Sequence, residues 1–387
     1  MSSKEEKIGQ LEFDDQYVSY NGKRLRKGYT TGTCATAATM AALEMIQTQE
    51  RVERVNLTTP SGVNLDVEIH NQEFDNHTAT CSVIKDGGDD QDATHGLDIF
   101  SKVTLRTDGE IVIDGGTGVG RVTQKGLQIE PGHAAINPTP RRMLREVAEK
   151  LLEEGQGCDI LISVPKGEET AKATFNPRLG IVGGISILGT SGIVTPMSEE
   201  SWKHSITGEM QIKFNQGHDR IILTPGNYGE DYIKEHTQLN PIYVVQMSNF
   251  VGYVLLEAMR IGFRKILLVG HFGKFIKLAG GIFSTHSKDA DGRNEIMVAN
   301  LALLGAPLDL LEQVNNTLTT ESQAEIILEA GYGQVYDVLV EKIKQRSLAK
   351  LKYRDPDIEI EAIAFLKDQP VFATTKSLVK LEKEYSL

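Results

Sequence analysis

The residues best equipped for chemistry lie between Lys265 and Glu295, in KILLVGHFGKFIKLAGGIFSTHSKDADGRNE. Imidazoles (His271, His286), cationic groups (Lys274, Lys277, Lys288, Arg293) and carboxylates (Asp289, Asp291) crowd the chain among Gly270, Gly273, Gly280 and Gly281, directly after the branched apolar run Lys265 to Val269. Such a run reads as a strand buried on both faces of a parallel sheet, and ligands of open α/β sheets bind just beyond the carboxyl ends of their strands. A second constellation is KDGGDDQDATHG, where Asp86, Asp89, Asp90, Asp92 and His95 share a glycine-rich loop. Carboxylates so close would hold a hard cation or set a general base whose pKa its neighbours raise; an acidic surface turn is the plain alternative. No glutamate closes that loop at the spacing of an EF-hand.

Other stretches offer anion chemistry. Arg24, Arg26 and Lys27 precede GYTTGT, which runs into the alanine-rich helix CATAATMAALEMI with Thr33 placed to cap it. Free N–H groups and the hydroxyls of Thr30 and Thr31 at a helix start make a ready anion site, while small residues there equally serve close packing on a sheet. In EIVIDGGTGVG, Gly116, Gly118 and Gly120 have the spacing many methyltransferases use for S-adenosylmethionine. The next residues, Arg121 to Leu127, include β-branched and glycine residues and carry no amphipathic stripe, so the glycines do not open a helix and the pattern is a decoy. Arg121 remains a fork for a carboxylate, and Arg141 and Arg142 in the first turn after Asn137-Pro138 oppose the helix dipole, which points to an anionic ligand.

These groups must be positioned by two kinds of architecture. Up to about residue 155 the pattern is mixed: the helix, a hairpin around Pro60-Ser61-Gly62 with strict alternation from Val63 to Ile69, a strand from Thr78 to Ile84, and a helix through Leu152. Gly155-Gln156-Gly157 is the expected boundary, giving an α+β domain over residues 1–155 and an α/β domain over 156–387. In the latter DILISVP, GISILGTSGIV, RIILTPG, PIYVVQM and KILLVG read as short buried strands of a doubly wound, Rossmann-like sheet, most separated by helical patterns. Their tips, Pro165-Lys166-Gly167, Gly189-Thr190-Ser191-Gly192, Thr224-Pro225-Gly226-Asn227 and Gly270-His271-Phe272-Gly273, would form one nucleotide-sized rim. Helices are expected from Ile296 to about Ala349, broken at Gly305-Ala306-Pro307 and Gly331-Tyr332-Gly333, then a strand from Ile358 to Phe365.

Composition narrows the partners. The 387 residues are 40% hydrophobic and 24% charged with net charge −12, ordinary for a globular protein and unsuited to attracting nucleic acid or anionic membranes. Cys34, Cys81 and Cys158 are too few and too scattered for a disulfide framework or zinc knuckle, so a reducing cytoplasm is the expected home. The charged opening MSSKEEKIGQLEFDD carries no secretory pattern, and no apolar run reaches membrane-spanning length.

Six blocks in order, KGYTTGTCATAA, KDGGDDQDATHG, GGTGVGRVTQKGL, AINPTPRRM, GIVGGISILGTSGIVTPMSEE and GHFGKFIKLAGGIFSTHSKDADGRNE, resemble the signatures of the cobalt-precorrin-5B C-methyltransferase family, CbiD, of anaerobic cobalamin synthesis. They span about Arg24 to Glu295; Gly87 and Gly292 stand where that pattern leads one to expect alanine. The resemblance implies an α+β domain joined to a Rossmann-like domain, and transfer of a methyl group from S-adenosylmethionine to ring carbon 1 of a cobalt-bearing tetrapyrrole. Cobalt then belongs to the substrate, with no metal held by the protein.

Given that reaction, the chemistry of the motifs suggests roles for the residues above. Arg26, Thr30, Thr31, Arg121, Arg141, Arg142, Lys274 and Arg293 are expected to meet the substrate and its carboxylates. His95, Asp89, His271 or His286 would assist the net loss of a proton that methylation of the ring carbon requires. The donor is expected at Gly189, Thr190, Ser191, Thr224, Gly226, Asn227, Gly270 and Gly273, with the site closed between the two domains. A non-catalytic carrier of tetrapyrrole intermediates is the alternative, needing the basic cleft without the donor site; a dinucleotide reductase using Gly116 to Gly120 ranks below it. A homo-oligomer is compatible with the sequence.

Overall fold

The computed structural model describes residues 16–20, 22–352, 355–366 and 373–386, so the charged opening lies outside the described residues. The chain divides into two compact units, Met1–Glu199 and Glu200–Leu387.

The first unit is built on a sheet in the order His70–Phe74, Thr78–Ile84, Asp98–Arg106, Gly157–Ser163, Ile111–Gly115, antiparallel except for the last pair. Helix Thr31–Thr48 lies against one face beside helix Pro138–Leu151. Its alanines allow close approach: Ala35, Ala38 and Ala42 are fully buried in one core with Cys81, Val83, Ile99, Val103 and Ile160. The buried hydroxyls of Thr36 and Thr39 are satisfied by carbonyls four residues back, at 2.8 Å each. The expected hairpin is present as Arg54–Thr58 paired with Asn64–Glu68, with Val55, Leu57, Leu65 and Val67 buried in alternation.

Three expectations change here. DILISVP does not open a second domain: Gly157–Ser163 pairs with both Asp98–Arg106 and Ile111–Gly115, so the division falls near Glu199 rather than at Gly155-Gln156-Gly157. A glycine pair marks a turn as readily as a boundary, and only pairing reveals which. GISILGTSGIV is not a strand of the later sheet; Gly189 and Gly192 have φ of 132° and 81° and break it into Gly184–Ile185 and Ile193–Val194, paired within the first unit. The alanine-rich helix is capped by Thr30, whose Oγ1 accepts the Thr33 N–H, while the Thr33 hydroxyl donates to Gly192 O at 2.7 Å.

The glycines of GGTGVG open no helix, as read from their context. Gly118–Val119 pairs with Gly184–Ile185 and Arg121–Val122 with Ile181–Val182. At this crossing a Cβ on Gly118, Gly167 or Gly184 would come within 1.8, 2.0 or 2.1 Å of a backbone oxygen, so backbones touch where side chains have no room.

The second unit holds a sheet in the order Val244–Gln246, Arg220–Thr224, Lys265–His271, Glu359–Phe365, Ala373–Thr374, parallel except for the last pair. Both faces are covered: Ile221, Leu223, Ile266, Leu268, Ile360 and Ala362 enter one core, and Ile222, Leu267, Val269, Ile363 and Phe365 the other. Helices Asn227–His236, Val251–Ile261 and Phe272–Ala279 follow the first three strands. Four more, Arg293–Leu303, Leu308–Asn315, Thr320–Glu329 and Val335–Lys350, fill the span read as helical, with breaks at both glycine-bearing points. From Arg220–Thr224 the chain steps to one side for Val244–Gln246, then crosses back for Lys265–His271. The strand order therefore reverses between Arg220–Thr224 and Lys265–His271, where open α/β sheets place ligands. Among the described residues no helix is long and apolar enough to cross a membrane.

Candidate functional site

The acidic loop of the first unit is lashed down by the chain's own donors. Arg26 forks onto Asp86, with Nη1 to Oδ2 at 2.5 Å and Nη2 to Oδ1 at 2.8 Å, and its backbone N–H donates to Asp89 Oδ2 at 2.6 Å. Asp90 accepts from the Met197 N–H at 3.0 Å. Asp92 takes the buried Lys85 ammonium at 2.5 Å and both the N–H and hydroxyl of Thr94. Each carboxylate thus has a partner. Among the described residues no group of three or more His, Cys, Asp or Glu is placed to hold a metal ion. Arg26 is thereby a brace of this loop rather than an open fork.

Thr30, Thr31 and Gly189 to Ser191 form one knot in the first unit. Leu188 O accepts the Gly32 N–H at 3.0 Å, Thr31 Oγ1 accepts the Leu188 N–H at 2.9 Å, and the Thr30 N–H donates to Gly192 O at 3.0 Å. The N–H groups of Thr30, Gly32 and Thr33 at this helix start are already used. A Cβ on Gly189 would lie 2.3 Å from Thr30 Oγ1, and the Ser191 hydroxyl donates to Ile193 O at 3.0 Å; the Thr190 side chain is exposed. Gly189, Thr190 and Ser191 therefore do not share a sheet edge with Thr224, Gly226 and Asn227, which belong to the second unit.

The arginines after the glycine crossing are also engaged. Arg121 pairs with Asp114 at 2.8 Å. Arg141 opposes the helix dipole for a structural reason: its guanidinium donates to the carbonyls of Ile136, Ile113 and Ala134 at 3.0, 3.0 and 3.3 Å, satisfying oxygens of the segment before the helix and of strand Ile111–Gly115. Arg142 is exposed with Glu146 at 3.6 Å. Two surface depressions of about 540 and 330 Å³, one at the end of the Pro138–Leu151 helix and one on the outer sheet face at Val112 and Leu161, contain none of the predicted site residues.

In the second unit the strand ends carry a polar edge. Thr224 is fully buried, Gly226 has open space where a Cβ would project, and Asn227 Oδ1 accepts from Gln246 Nε2 at 3.0 Å. Gly270 is a packing glycine, since a Cβ there would meet the Phe275 ring at 2.4 Å. His271 ends its strand and caps the next helix, Nδ1 accepting the Gly273 N–H at 3.1 Å and Nε2 lying 3.0 Å from Glu321 Oε1. Arg293 is held by Asp291 through two bonds of 2.8 Å, and the buried Lys277 reaches Thr285 O and Ala290 O to fold the loop between them. Lys274 is exposed and, of the predicted basic groups, it alone has no partner among the described residues.

The three predicted histidine bases share one feature. Nδ1 of His95, His271 and His286 accepts the N–H of Gly87, Gly273 and Lys288, at 3.0, 3.1 and 3.1 Å. Each neutral ring thus carries its proton on Nε2 and has its basic lone pair occupied. Sequence reasoning missed Glu321 and Thr320 beside His271, and Phe365, which stacks on Tyr232 with ring centres 3.9 Å apart and stands edge-on to His271 at 5.8 Å. No local signal marks Glu321, which reaches the strand end from a helix about fifty residues downstream.

Burial pushes the pKa of His271 below the ordinary histidine value of about 6.5, against the opposing pull of Glu321. Protonating Nδ1 would also eject the Gly273 N–H. A folded pKa below the unfolded one makes the neutral ring a stabilising group above about pH 6.5 whose contribution is lost as pH falls through that value toward the folded pKa. Denaturant titrations are expected to show the wild type losing stability between pH 8 and 5.5, and His271→Asn, which caps without titrating, losing less. Equal losses would remove His271 from the account.

By fold the chain falls into the class of two-unit, mixed α/β proteins with a mainly parallel sheet in the second unit. Residues 18–196 match the family model CbiD and residues 284–376 the model CbiD, C-terminal domain. Proteins named cobalt-precorrin-5B C(1)-methyltransferase are similar nearly end to end: that of Listeria welshimeri is 53% identical over 96% of this chain and 100% of its own length, and that of Citrobacter koseri 47% identical over 96% and 98%. The chain belongs to the CbiD family. A crystal structure of the cobalamin biosynthesis protein cbiD from Archaeoglobus fulgidus is 30% identical, covering 68% of this chain and 83% of that one with a TM-score of 0.37.

Proposed function

We propose that this chain is a methyltransferase that transfers the methyl group of S-adenosylmethionine to ring carbon 1 of cobalt-precorrin-5B, giving cobalt-precorrin-6A. The observation that carries this reading is the 53% identity over the whole length of a relative so named. In the reaction the methyl carbon breaks from sulfur, which leaves with the electron pair as S-adenosylhomocysteine, and bonds to the ring carbon, while the tetrapyrrole as a whole loses one proton. Such a transfer asks mainly for in-line orientation.

The strand order of the second unit supports a Rossmann-like reading, with the donor at the edge between Arg220–Thr224 and Lys265–His271. Thr224, Gly226, Asn227, Gly270 and Gly273 frame that edge, so the donor set narrows to them. The substrate's carboxylates are met by Lys274 and by Arg121 and Arg142, whose exposed pairs with Asp114 and Glu146 are weak enough to exchange. With the histidine lone pairs occupied, proton loss falls to a carboxylate or to water. Asp89, exposed and bonded to the chain through Oδ2, is the predicted group that fits.

Incubation with cobalt-precorrin-5B and methyl-labelled S-adenosylmethionine is expected to add one labelled methyl to the tetrapyrrole and release S-adenosylhomocysteine in equal amount, read by mass spectrometry. Tetrapyrrole binding without methyl gain, and without S-adenosylhomocysteine binding in titration calorimetry, would make the chain a carrier instead.

A further inference from the structure

Glu321 occupies a place its helix alone does not explain. It comes from the first turn of Thr320–Glu329, yet its carboxylate lies against His271, the last residue of a central strand, at the point where the strand order reverses. Oε1 faces the Nε2–H of His271 at 3.0 Å and Oε2 accepts the Thr320 hydroxyl at 3.1 Å. The donor side is neutral, because the His271 proton sits on Nε2 while Nδ1 caps the next helix. Neither contact is a full ion pair. The nearby guanidinium of Arg293 is taken up by Asp291.

A carboxylate offers about four acceptor positions, and here one on each oxygen is filled. The side chain remains 43% exposed, so the carboxylate is within reach of solvent and of a ligand at this edge. What remains is an oriented pair of oxygens, fixed in rotation by one neutral donor on each side. That arrangement suits two hydroxyl donors on adjacent carbons, each about 2.5–2.7 Å from a carboxylate oxygen. A merely structural clamp between helix and strand would need only the His271 contact.

We propose that Glu321 binds the vicinal ribose hydroxyls of the methyl donor, with His271 and Thr320 as positioning residues that set the plane of its carboxylate. This rests on the reading that the donor lies at the second unit's sheet edge. The glycine-framed turn at Gly226, open where a side chain would project, lies along the same edge.

Titration calorimetry of the full chain with S-adenosylhomocysteine and with its 2′-deoxy analogue tests this without any substitution. Wild type is expected to bind the deoxy analogue about tenfold to a hundredfold more weakly, the worth of a hydrogen bond to a charged group. Glu321→Gln is expected to weaken S-adenosylhomocysteine by a similar factor and to lose most of the discrimination between the two ligands. Retention of the His271 Nε2–H tautomer in that variant, read by ¹⁵N chemical shifts, shows that the strand end is intact. Wild type binding both ligands equally overturns the proposal and leaves the donor site standing; so does unchanged discrimination in Glu321→Gln. Failure of wild type to bind S-adenosylhomocysteine, with or without tetrapyrrole, overturns the donor reading and the proposal together.

Discussion

Replacing Asp92 with alanine is expected to destabilise the protein by about 3–5 kcal/mol, and replacing Lys85 with methionine by distinctly less. Lys85 is 2% exposed, and its ammonium, 2.5 Å from Asp92, has that carboxylate as its one partner among the described residues. Removing Asp92 leaves a desolvated charge unpaired at the end of strand Thr78–Ile84 and frees the N–H and hydroxyl of Thr94, so the acidic loop loses its anchor. Methionine at Lys85 keeps much of the packed stem and removes the charge with its desolvation cost, while Asp92, its side chain 23% exposed, keeps Thr94 and some water. Burial pushes the Asp92 carboxyl up, but Lys85 and Thr94 outweigh it and hold the pKa below the usual carboxylate value. The pair therefore stabilises fully above about pH 4 and its contribution fades as pH falls through the folded value. Urea titrations at pH 7 decide the matter; equal losses in the two variants would mean that the pair is not desolvated.

Gly118→Ala is expected to cost roughly 3–5 kcal/mol, combining left-handed strain with an overlap that cannot relax. Its φ is 72°, and the added methyl would lie 1.8 Å from Val164 O, an atom of backbone rather than of a side chain that could rotate away. Gly62→Ala is the control. Its φ is 82° with nothing within 4 Å of the added carbon, so it isolates the strain, about 1 kcal/mol. Thermal melts of the two variants separate these causes, and a small, similar shift for both would refute the close backbone crossing. The same result would reopen the reading of Gly116 to Gly120 as a ligand loop, since their present role is to let strands Gly118–Val119 and Gly184–Ile185 meet.

Much of this molecule was legible in the sequence because periodicity reports burial. The alternation of Val63 to Ile69, the apolar run of Lys265 to Val269 and the helices after Ile296 each depend on neighbours close in the chain. The failure of GGTGVG to open a helix was legible for the same reason. The six motif blocks likewise carried the family, and with it the reaction.

What the sequence could not determine was which charges are free and which strands pair, since both are set by residues distant in the chain. Arg26, Arg141 and Arg293 looked like anion forks, and only folding shows them taken by Asp86, three carbonyls and Asp291. DILISVP and GISILGTSGIV have the composition of parallel-sheet strands, yet pairing puts them in the first unit. Imidazole type is a property of the sequence, whereas tautomer is one of the hydrogen bonds around it. The bond from Gly273 to Nδ1 makes His271 a donor to Glu321, whose place at that strand end no local pattern could announce.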